Sequence, residues 1–533
     1  MWMTNVTDIT GSLRIKGAVV DRGAYESSGA GAGSLQCNFV GTPLEGVDSL
    51  SVIFTSSIAG SNTNGVVYRW DFDGNGSFEK QGTFLSCVTN IYGIGYYTVR
   101  LVVSNAAGEV AEKIKSSYVH VSPGIIYVAT NGLNGMATNW VTAKTNIQDA
   151  IDEAISNNQI LVAGHIFRIP STILLSNKKG VRIQGGYAAT NAVGPGRCDP
   201  KLWPTIIYPK NSGYRAIIIS SAEDCGISNI VFYGASSSLD GGALYIVNSS
   251  GLRLYGCVIS NNYTSAGINL YRYGGGIYGS GGNVVVERCI IRQNTAHAAA
   301  PAWNGGCYGG GIYIAGGNWV IKESIFLYNT ANGQSNQGGY GGAIYTGGGT
   351  VLIKNCLICS NRTISIGWHG GGIYSSAGTI IENCTVAGNS VSSASAQGGG
   401  LYIAGGSATN CIFYQNKRAG VDDNVGGNVS SIKYSSAIDL VHGINGNITN
   451  QVLFQDMVYY HLKSRAGVYL DGYFDGGRWG ISTENSRGID EGSPNMPYSR
   501  EPYPHGFRVN MGMYGNTPVA SKSFITASII FIR

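Results

Sequence analysis

The sequence predicts an all-β chain whose largest part is a right-handed parallel β-helix, and three observations support this prediction. A short pattern occurs six times between Gly241 and Asn416: it begins Gly-Gly-(Ala/Gly)-(Ile/Leu)-Tyr and ends in Asn. The distance from the first Gly to the closing Asn stays between 18 and 21 residues, whereas the gap to the next copy varies from 9 to 15. The segments inside each copy are short β-branched runs without helical periodicity. A period of 28 to 35 residues built in this way is typical of one coil of a parallel β-helix.

The closing asparagines are predicted to form a ladder inside the stack. Successive coils lie at the ordinary strand spacing of about 4.8 Å, so that equivalent residues stack directly above one another. Stacked amide side chains hydrogen-bond along the axis in other polar ladders, and Asn also tolerates the left-handed backbone that a sharp corner requires. The six ladder positions are Asn262, Asn294, Asn329, Asn361, Asn389 and Asn416.

The cysteines follow the same register. Small, weakly polar groups suit an inward position, and parallel stacking directs neighbouring Cβ atoms the same way, which fits a disulfide poorly. We therefore expect free thiols rather than cross-links. No metal site is expected, because Cys356-x-x-Cys359 has no second pair at ligand spacing. The positions five residues before the ladder asparagines hold Cys257, Cys289, Ser324, Cys356, Cys384 and Cys411, and Cys225 begins the row.

The repeat resembles that of the polymorphic outer-membrane proteins, whose hallmarks are Gly-Gly-Ala-Ile and Phe-x-x-Asn. Gly341 to Ile344 gives the first hallmark, and Phe326 to Asn329 and Phe413 to Asn416 give the second. Other copies have Ile or Val at the Phe position. In that family the repeats form a surface-exposed β-helical passenger, so the resemblance implies a bacterial cell-surface or outer-membrane location.

Composition narrows the classes of function. The chain has 35 basic and 30 acidic residues, a net charge of +5 and no basic run, so no nucleic-acid partner is indicated. Glycine supplies 80 of 533 residues and charged residues only 12%, which suits tight corners and uncharged faces. The N-terminus lacks the pattern of a secretion signal, and the apolar C-terminal stretch is too short to span a bilayer. We expect an extracellular chain without a transmembrane segment that is a fragment of a longer protein.

Residues 1–34 are predicted to be the tail of an upstream β-helix unit followed by a linker. Asp21 to Glu26 resembles the closing box of β-helix units in bacterial surface proteins, and Ser27 to Ser34 is rich in Gly, Ala and Ser. Residues 484–521 resemble the same kind of ending, most specifically at Arg508 to Gly515. The two endings imply a tandem array of coil stacks.

Residues 35–123 alternate short strands with turns and predict an immunoglobulin-like β-sandwich. Tyr68 to Gly76 and Gly95 to Gly108 resemble the Trp-Asp turn and the Gly-x-Tyr-x-Val-x-Leu strand of PKD domains. Cys37 and Cys87 are candidates for a disulfide across this sandwich.

The turn of the sandwich carries a partial calcium motif. Asp71, Asp73 and Asn75 match the start of an EF-hand loop. Gly82 stands where that loop requires its bidentate Glu, so no calcium site is predicted.

Residues 124–440 are assigned to the β-helix, with nine to eleven coils, and residues 441–533 to its closing segment, where glycine corners become fewer. A short amphipathic helix is predicted near the start, and we expect it to cap the open end of the stack. The residues on its apolar face are Ile147, Ala150, Ile151, Ala154 and Ile155.

No catalytic residue, metal or cofactor is predicted. Glycoside hydrolases need two facing carboxylates, and a polysaccharide lyase needs a basic residue beside acids that hold calcium. The carboxylates of the repeats instead recur beside the cysteine position with basic neighbours, which favours a solvated row of mixed charge. His297 and His369 lie in the variable loops without a nucleophile motif. The carboxylates in question are Glu287, Glu323 and Glu382, and their neighbours are Arg288, Lys322 and Lys354.

The variable loops are the better functional candidate, since insertions in repeat proteins collect on one face, often the binding face. The residues predicted for binding are Tyr271, Arg272, Tyr273, Trp303, Tyr308, Trp368 and His369. Beside them, the repeat tyrosines should point outward because the preceding Ile or Leu points inward; the alternative is that these tyrosines only stack on one another. The repeat tyrosines are Tyr245, Tyr278, Tyr313, Tyr345, Tyr374 and Tyr402.

The function predicted from these features is that of a non-catalytic adhesin. It is expected to bind a polysaccharide or a host or cell-surface protein through its aromatic loop face. The alternative is a polysaccharide lyase or glycoside hydrolase of the parallel β-helix class. The fold alone supports both, so the site has to decide between them.

Overall fold

A computed structural model of the chain describes residues 34–60, 63–190, 194–266, 270–298, 306–333, 338–364, 368–449 and 452–523. The chain divides into two compact units, with the boundary between Gly124 and Ile125. Each unit has a hydrophobic core of its own. The predicted upstream tail lies outside the described residues, except for Ser34.

The first unit is a β-sandwich, as the strand pattern predicts. One sheet contains Gln36–Thr42, Leu50–Ala59 and Cys87–Tyr92, and the other contains Glu45–Val47, Val67–Asp71, Lys80–Gly82, Gly95–Ser104 and Val110–Ser122. Burial alternates along the first half of Leu50–Ala59, because one face of that strand packs on the core and the other meets solvent. Aromatic side chains fill the core, with ring centroids 5.3 to 6.2 Å apart among Phe39, Phe54, Trp70 and Phe72.

The disulfide suggested between Cys37 and Cys87 is wrong, because both side chains are free thiols. Cys37 pairs opposite Ile58, and Cys87 opposite Thr55, on the two sides of one central strand. The two cysteines are therefore two strand spacings apart across the sheet, about 9.6 Å, and the three positions between Thr55 and Ile58 separate them further along it. Cα atoms more than about 7 Å apart cannot be bridged without moving the backbone.

The second unit is a stack of coils whose strands form four long sheets, here named A to D. Sheet A contains Ile125–Val128, Gln159–Ala163, Arg182–Tyr187, Gly226–Ser228, Ser250–Tyr255, Asn283–Glu287, Asn318–Lys322, Thr350–Lys354, Thr379–Glu382, Ser407–Thr409 and Ile432–Lys433. Sheet B contains Ile166–Ile169, Thr205–Pro209, Ile230–Tyr233, Val258–Ser260, Ile290–Arg292, Ile325–Leu327, Leu357–Cys359, Thr385–Ala387 and Ile412–Tyr414. Sheet C contains Ile173–Ser176, Ile217–Ser220, Leu244–Val247, Ile277–Ser280, Ile312–Ile314, Ile344–Thr346, Ile373–Ser375, Leu401–Ile403 and Val425–Gly427.

Sheet D and the smaller elements complete the unit. Sheet D contains Ser236–Ser237, Tyr263–Ala266, Thr295–Ala298, Thr330–Gly333, Arg362–Ile364, Ser390–Val391, Lys417–Arg418 and Val421–Asp422. A short sheet E is formed by Arg272–Tyr273, Cys307–Tyr308 and Gly339–Tyr340, and Val468–Leu470 pairs with Arg478–Gly480 in a hairpin. Val429–Ser431 and Ile444–Gly446 are single 3₁₀ turns.

Each repeat passes through sheets C, A, B and D in turn, and equivalent strands of successive coils pair in parallel. Nine strands lie in each of sheets B and C and eleven in sheet A, so the predicted parallel β-helix of nine to eleven coils is confirmed. Residues on each strand alternate between the interior and the outer surface. In sheet C, for example, Ile312 is buried and Tyr313 next to it is partly exposed. The inward residues form one continuous core along the stack.

The six asparagines lie inside the corner between sheets B and D and form one hydrogen-bonded row. Each Nδ2 donates to the Oδ1 of the next asparagine, at 2.9 Å in five links and 3.0 Å in the last. Each Nδ2 also donates to a main-chain carbonyl of the preceding coil, as Asn329 does to Ile291 at 2.8 Å. The last link reaches Asn424, which the repeat pattern does not identify because it follows Asn416 by only eight residues.

The left-handed backbone at this corner belongs to the residue before each ladder asparagine, not to the asparagine itself. Tyr328 has φ 56° and Ser360 has φ 56°, and the equivalent residues of the other copies also have positive φ. The expectation that the ladder asparagines adopt this conformation is therefore wrong by one position. Placing the turn one residue earlier leaves the asparagine side chain directed into the core, where it can bond its neighbours.

The cysteine row lies at the corner between sheets A and B. The thiols are free, as predicted. Each buried thiol donates to a carbonyl of the preceding coil: Cys289 Sγ lies 3.6 Å from Leu254 O, and Cys356 Sγ lies 3.6 Å from Ile321 O. Ser324 replaces the thiol in the third copy and accepts a hydrogen bond from the Cys289 amide at 3.1 Å.

The paired glycines that open each copy serve two purposes. Gly309 has φ 65°, a conformation that side chains with a Cβ rarely adopt. Gly310 has no such constraint on φ, but a Cβ there would lie 2.3 Å from Gly342 O of the next coil. The coils can therefore approach each other closely at this corner only if the second position is glycine.

The predicted helix forms over Ile147–Glu153 and lies against the first strands of sheets A and C. Asn146 caps its N-terminus by accepting a hydrogen bond from the Asp149 amide at 2.8 Å. Ile147, Ala150 and Ile151 are buried, as predicted. Ile155 lies beyond the end of the helix and is only partly buried.

The chain after the last coils folds back over the outer face of sheet B. Apolar side chains of the two parts bury one another: Leu357 and Ile412 belong to sheet B, and Phe454, Leu462, Met511 and Met513 to the returning chain. The returning chain is also held by corner asparagines. Asn355 Nδ2 donates to Met513 O at 2.8 Å and to Gly515 O at 2.9 Å. This part of the chain therefore covers one side of the stack.

Candidate binding surface

The repeat tyrosines form a continuous row on the outer face of sheet C. Each tyrosine pairs directly opposite its counterpart in the next coil. Successive ring centroids are 4.8 to 5.5 Å apart, and neighbouring ring planes differ by 7° to 19°. The side chains are partly exposed, so the prediction that they point outward is confirmed. This set is called the inner row: Tyr245, Tyr278, Tyr313, Tyr345, Tyr374 and Tyr402.

A second, outer row lies beside it on sheet E and consists of Tyr273, Tyr308 and Tyr340. Successive rings of this row are 5.2 Å apart. The two rows interlock, since Tyr308 meets Tyr345 edge-on at 5.0 Å and Tyr340 meets Tyr374 edge-on at 4.9 Å. The two rows together are called the tyrosine surface.

Charged and heteroaromatic groups cover the ends of the inner row. The Arg215 guanidinium lies 4.6 Å from the centroid of Tyr245 at one end. The His369 ring stacks on Tyr402 at the other end, 4.1 Å away and inclined by 11°. Trp368 packs edge-on against Tyr340 at 4.8 Å and therefore extends the outer row.

The stacking decides which parts of the rings a partner can reach. Rings about 5 Å apart and nearly parallel occupy each other's faces. The ring edges and the hydroxyl groups are left on the outside, repeating at the coil spacing of about 4.8 Å. A row of this kind offers hydrogen-bond donors and acceptors to a partner but no open ring faces within the row.

The hydroxyl groups of Tyr313, Tyr340 and Tyr345 in this surface remain protonated well above neutral pH. Burial, together with the neighbouring Tyr374 and Tyr273, raises the pKa of Tyr345 to about 12. Burial also raises the pKa of Tyr313 and Tyr340, and the adjacent phenols add to the effect. Each hydroxyl therefore keeps both a donor and an acceptor function in ordinary solution.

Several residues predicted for binding have other roles or positions. Arg272 is committed to the backbone, because its guanidinium donates to Ser265 O at 2.8 Å and Tyr271 O at 2.6 Å. His297 lies on a strand of sheet D rather than in a loop. Trp303 lies outside the described residues.

The remaining predicted residues, Tyr271, Tyr273, Tyr308, Trp368 and His369, lie together at the tyrosine surface, with Tyr271 6.3 Å from Tyr273. Tyr340 was not predicted. The position immediately before the first glycine of each copy could have identified it, because this position also holds Tyr273, Tyr308 and His369.

The carboxylates of sheet A and its corner form ion pairs with cations of neighbouring coils. Glu287 Oε2 lies 2.5 Å from Arg253 Nη2 and 3.3 Å from Lys322 Nζ. The side chains of Glu287 and Glu323 are each only 12% exposed, so the expectation of a solvated row is wrong for these two residues. Glu323 pairs with Arg288 at 2.8 Å in the same way. Carboxylates held by cations are poorly placed to act as a general acid and a general base.

Three carboxylates of the sandwich lie close together. Asp71, Asp73 and Glu79 have oxygen atoms within 4.8 Å of one another. Each already accepts a hydrogen bond: Asp71 from the Gly74 amide at 2.7 Å, Asp73 from an Asn75 amide, and Glu79 from the Phe72 amide at 2.7 Å. Glu79 falls at position nine of an EF-hand loop that begins at Asp71, and Gly82 at position twelve is where the sequence departs from that loop.

The stacked parallel sheets and the internal asparagine row define residues 125–433 as a parallel β-helix. A family model described as a right-handed β-helix region matches residues 171–357, which lie within the coils. Searches of curated proteins and of solved structures gave no significant match. None of the helices in the described part of the chain is long and apolar enough to cross a membrane.

Proposed function

We propose that this chain is a non-catalytic, extracellular or cell-surface repeat protein that adheres to a partner protein through the tyrosine surface. The observation that supports the proposal is the double row of tyrosines on sheets C and E. Tyrosine offers a large, rigid and amphipathic contact area, and is enriched at protein interfaces. Because the rows are already ordered by stacking, binding loses little side-chain entropy.

The geometry favours a protein over a glycan as the partner. Sugar recognition by aromatic residues uses open ring faces, whereas the faces within the inner row are occupied by neighbouring rings. The exposed edges and hydroxyls suit main-chain and polar side-chain groups of a protein surface. The partner is therefore expected to lie along the stack and contact several coils at once.

The proposed cell-surface location of the chain and the proposed role of its sandwich as a spacer both rest on resemblances to known families. The Gly-Gly-Ala-Ile and Phe-x-x-Asn hallmarks support a place among bacterial surface passengers. The sandwich of residues 35–123 is proposed to be a PKD module that serves as a spacer, on the basis of its Trp70-Asp71 turn. The endings at residues 8–26 and 484–521 support a longer tandem chain.

The absence of catalysis is proposed from the ion pairs described above. Lys354 and Glu382 continue the paired row of sheet A at 3.0 Å. These contacts hold Glu287, Glu323 and Glu382 in ion pairs, which leaves them poorly placed for acid and base catalysis.

A binding assay with a paired control tests the proposal. The variant Tyr308→Ala/Tyr340→Ala removes two side chains of the outer row while leaving the inner row stacked. Tyr233→Ala is the matched control, because Tyr233 is 41% exposed and stacks on Tyr208 at 5.9 Å on a different face of the same stack. Labelled full-length chain is applied to bacterial and epithelial cells, with and without protease treatment of the cells, and to a glycan array.

Three results support the proposal when they occur together: the double variant loses at least about tenfold in cell binding, Tyr233→Ala binds normally, and protease treatment of the cells removes binding. Binding that survives protease, is reproduced on the glycan array and is lost there in Tyr308→Ala/Tyr340→Ala contradicts the protein partner. Release of unsaturated or reducing sugar ends by the purified chain contradicts the non-catalytic role and favours a lyase or hydrolase.

A further inference from the structure

A groove with a volume of about 540 Å³ runs across the outer face of sheet A in the first coils. It lies on a different sheet from the tyrosine surface, which occupies sheets C and E. Three guanidinium groups line it, Arg182, Arg253 and Arg288, together with one carboxylate, Glu287. The lining therefore has an excess of two positive charges. This set of residues is called the arginine groove.

The register of three neighbouring strands produces the groove. Gly226 pairs between Arg182 on one side and Arg253 on the other. Two residues further along, Ser228 pairs between Gln184 and Tyr255. The middle strand therefore presents two small residues where both neighbouring strands present long ones, and a trough results.

The arginines are directed toward this trough. A Cβ built on Gly226 would lie 3.5 Å from Arg182 Nη1, so the Arg182 side chain leans over the glycine. Arg182 is exposed, and it forms no ion pair with the residues that the structure describes. Arg253 is half exposed, and its guanidinium lies 5.2 Å from the ring of Tyr255.

The charges of neighbouring groups reduce this excess but do not remove it. Glu287 is shared between Arg253 and Lys322. Arg288 is paired with Glu323 at 2.8 Å and lies 3.7 Å from Asp475 at the rim. Counted together, four cations (Arg182, Arg253, Arg288 and Lys322) face three carboxylates (Glu287, Glu323 and Asp475), which leaves one positive charge in excess. The guanidinium N–H groups of Arg182 in particular are available to bind an anion.

A second cleft continues the groove around the corner to sheet B. It has a volume of about 490 Å³ and shares Tyr255 and Arg288 with the first. Its lining includes the rings of Tyr473 and Phe474, the cations Lys201 and Arg288, and the carboxylates Glu323, Asp471 and Asp475. Because this cleft has one negative charge in excess, an anionic ligand is expected to stay within the arginine groove.

We propose that the arginine groove binds a linear acidic polysaccharide, through carboxylate or sulfate groups that the guanidinium forks of Arg182 and Arg253 recognise. Planar guanidinium groups match the geometry of such oxyanions. Gln159, Gln184 and Ser228 supply neutral hydrogen-bonding groups suited to sugar hydroxyls. One or two excess charges are few for a nucleic-acid site, where affinity rests on many phosphate contacts.

Binding measurements on the full chain test this site. The probes are polygalacturonate, which carries carboxylates, heparin, which carries sulfates, neutral dextran and duplex DNA, each titrated by calorimetry at two salt concentrations. Arg182→Ala removes the unpaired guanidinium. Gly226→Leu leaves every charge in place and fills the floor of the groove, at a position whose backbone accepts a side chain. Arg292→Ala is the matched control, an exposed arginine on sheet B.

The proposal predicts that at least one acidic polysaccharide binds and dextran does not. Arg182→Ala and Gly226→Leu each weaken binding at least about tenfold, and Arg292→Ala changes it less than about twofold. A preference for polygalacturonate assigns carboxylate recognition, and a preference for heparin assigns sulfate recognition. The proposal is overturned if neither acidic polysaccharide binds, if dextran or DNA binds as tightly, or if Arg182→Ala behaves like Arg292→Ala. Unchanged urea midpoints of the three variants show that the stack remains folded.

Discussion

Replacing Asn361 by Ala is expected to destabilise the β-helix far more than its small loss of volume implies. Asn361 is fully buried. Its Oδ1 accepts hydrogen bonds from both the side-chain and main-chain nitrogens of Asn329, each at 2.9 Å. Its Nδ2 donates to Asn389 Oδ1 at 2.9 Å and to Phe326 O and Cys359 O at 3.0 Å. All the partners lie in the dry interior of the stack.

The magnitude follows from the groups that the substitution leaves behind. In Asn361→Ala, two donors of Asn329 lose their acceptor, one on the main chain and one on the side chain. Each buried donor without a partner costs about 1 to 3 kcal/mol, because water cannot replace the lost hydrogen bond. The expected loss in the free energy of unfolding is therefore about 2 to 6 kcal/mol.

Urea unfolding followed by circular dichroism measures this loss, and the chain offers a matched control. Asn318 also belongs to an asparagine pair between coils, donating to Asn283 Oδ1 at 2.8 Å, but both side chains are exposed. Asn318→Ala is therefore expected to change the free energy of unfolding by no more than about 0.5 kcal/mol. Equal effects of the two substitutions would show that burial does not govern the asparagine row, and would refute the reasoning.

Three further predictions concern other parts of the fold. Gly310→Ala should lower the free energy of unfolding by about 1 to 3 kcal/mol, because the added methyl group pushes neighbouring coils apart. Gly311→Ala should lower it less, since Ala occupies the equivalent position in two other copies. Urea midpoints in the opposite order would contradict this prediction. The raised pKa of Tyr345 predicts that stability is constant below pH about 10 and falls as pH rises through about 12; Tyr345→Phe should weaken this fall, and an unchanged slope would count against it. Burial raises the pKa of Glu501 to about 7, so the stability contributed by its protonated form is present below pH about 4.5 and lost as pH rises to about 7. Glu501→Gln should therefore raise the free energy of unfolding at pH about 8 by up to about 3 kcal/mol. A loss of stability at that pH would disprove the assignment.

The regular coils could be predicted from the sequence, because residues of one type that recur at the same position of the repeat lie next to each other in successive coils. The asparagine and cysteine rows and the outward tyrosines all follow from one alignment of the repeats. The direction of each side chain in sheet C follows from strand alternation, since Ile312 must be buried if the coil is to have a core. The left-handed conformation at the asparagine corner belongs to the residue before the asparagine. The repeat pattern shows which residue recurs at the corner but not which residue has a positive φ.

The remaining features depend on contacts that no spacing encodes. Arg182, Gly226 and Arg253 are separated by 44 and 27 residues. Arg182 and Gly226 lie in early coils that lack the repeat signature, so only the strand register brings them next to Arg253, which lies in the first copy. Asn424 reaches the asparagine row through a tight hairpin instead of a full coil. Tyr308 and Tyr340 share the position before the first glycine of their copies, but the variable segments in front of them do not show that this position begins an additional sheet.

Cell binding by a variant that removes hydroxyl groups but keeps every ring tests the central claim most directly. The triple substitution Tyr313→Phe, Tyr345→Phe and Tyr374→Phe preserves the stack of the inner row, and its urea midpoint should match that of the unchanged chain. If the hydroxyl edge of the tyrosine surface binds the partner, cell binding should fall at least about tenfold, since each lost hydrogen bond contributes about 0.5 to 1.5 kcal/mol. Undiminished cell binding by the folded triple variant would contradict the claim and leave the tyrosines as a purely structural stack.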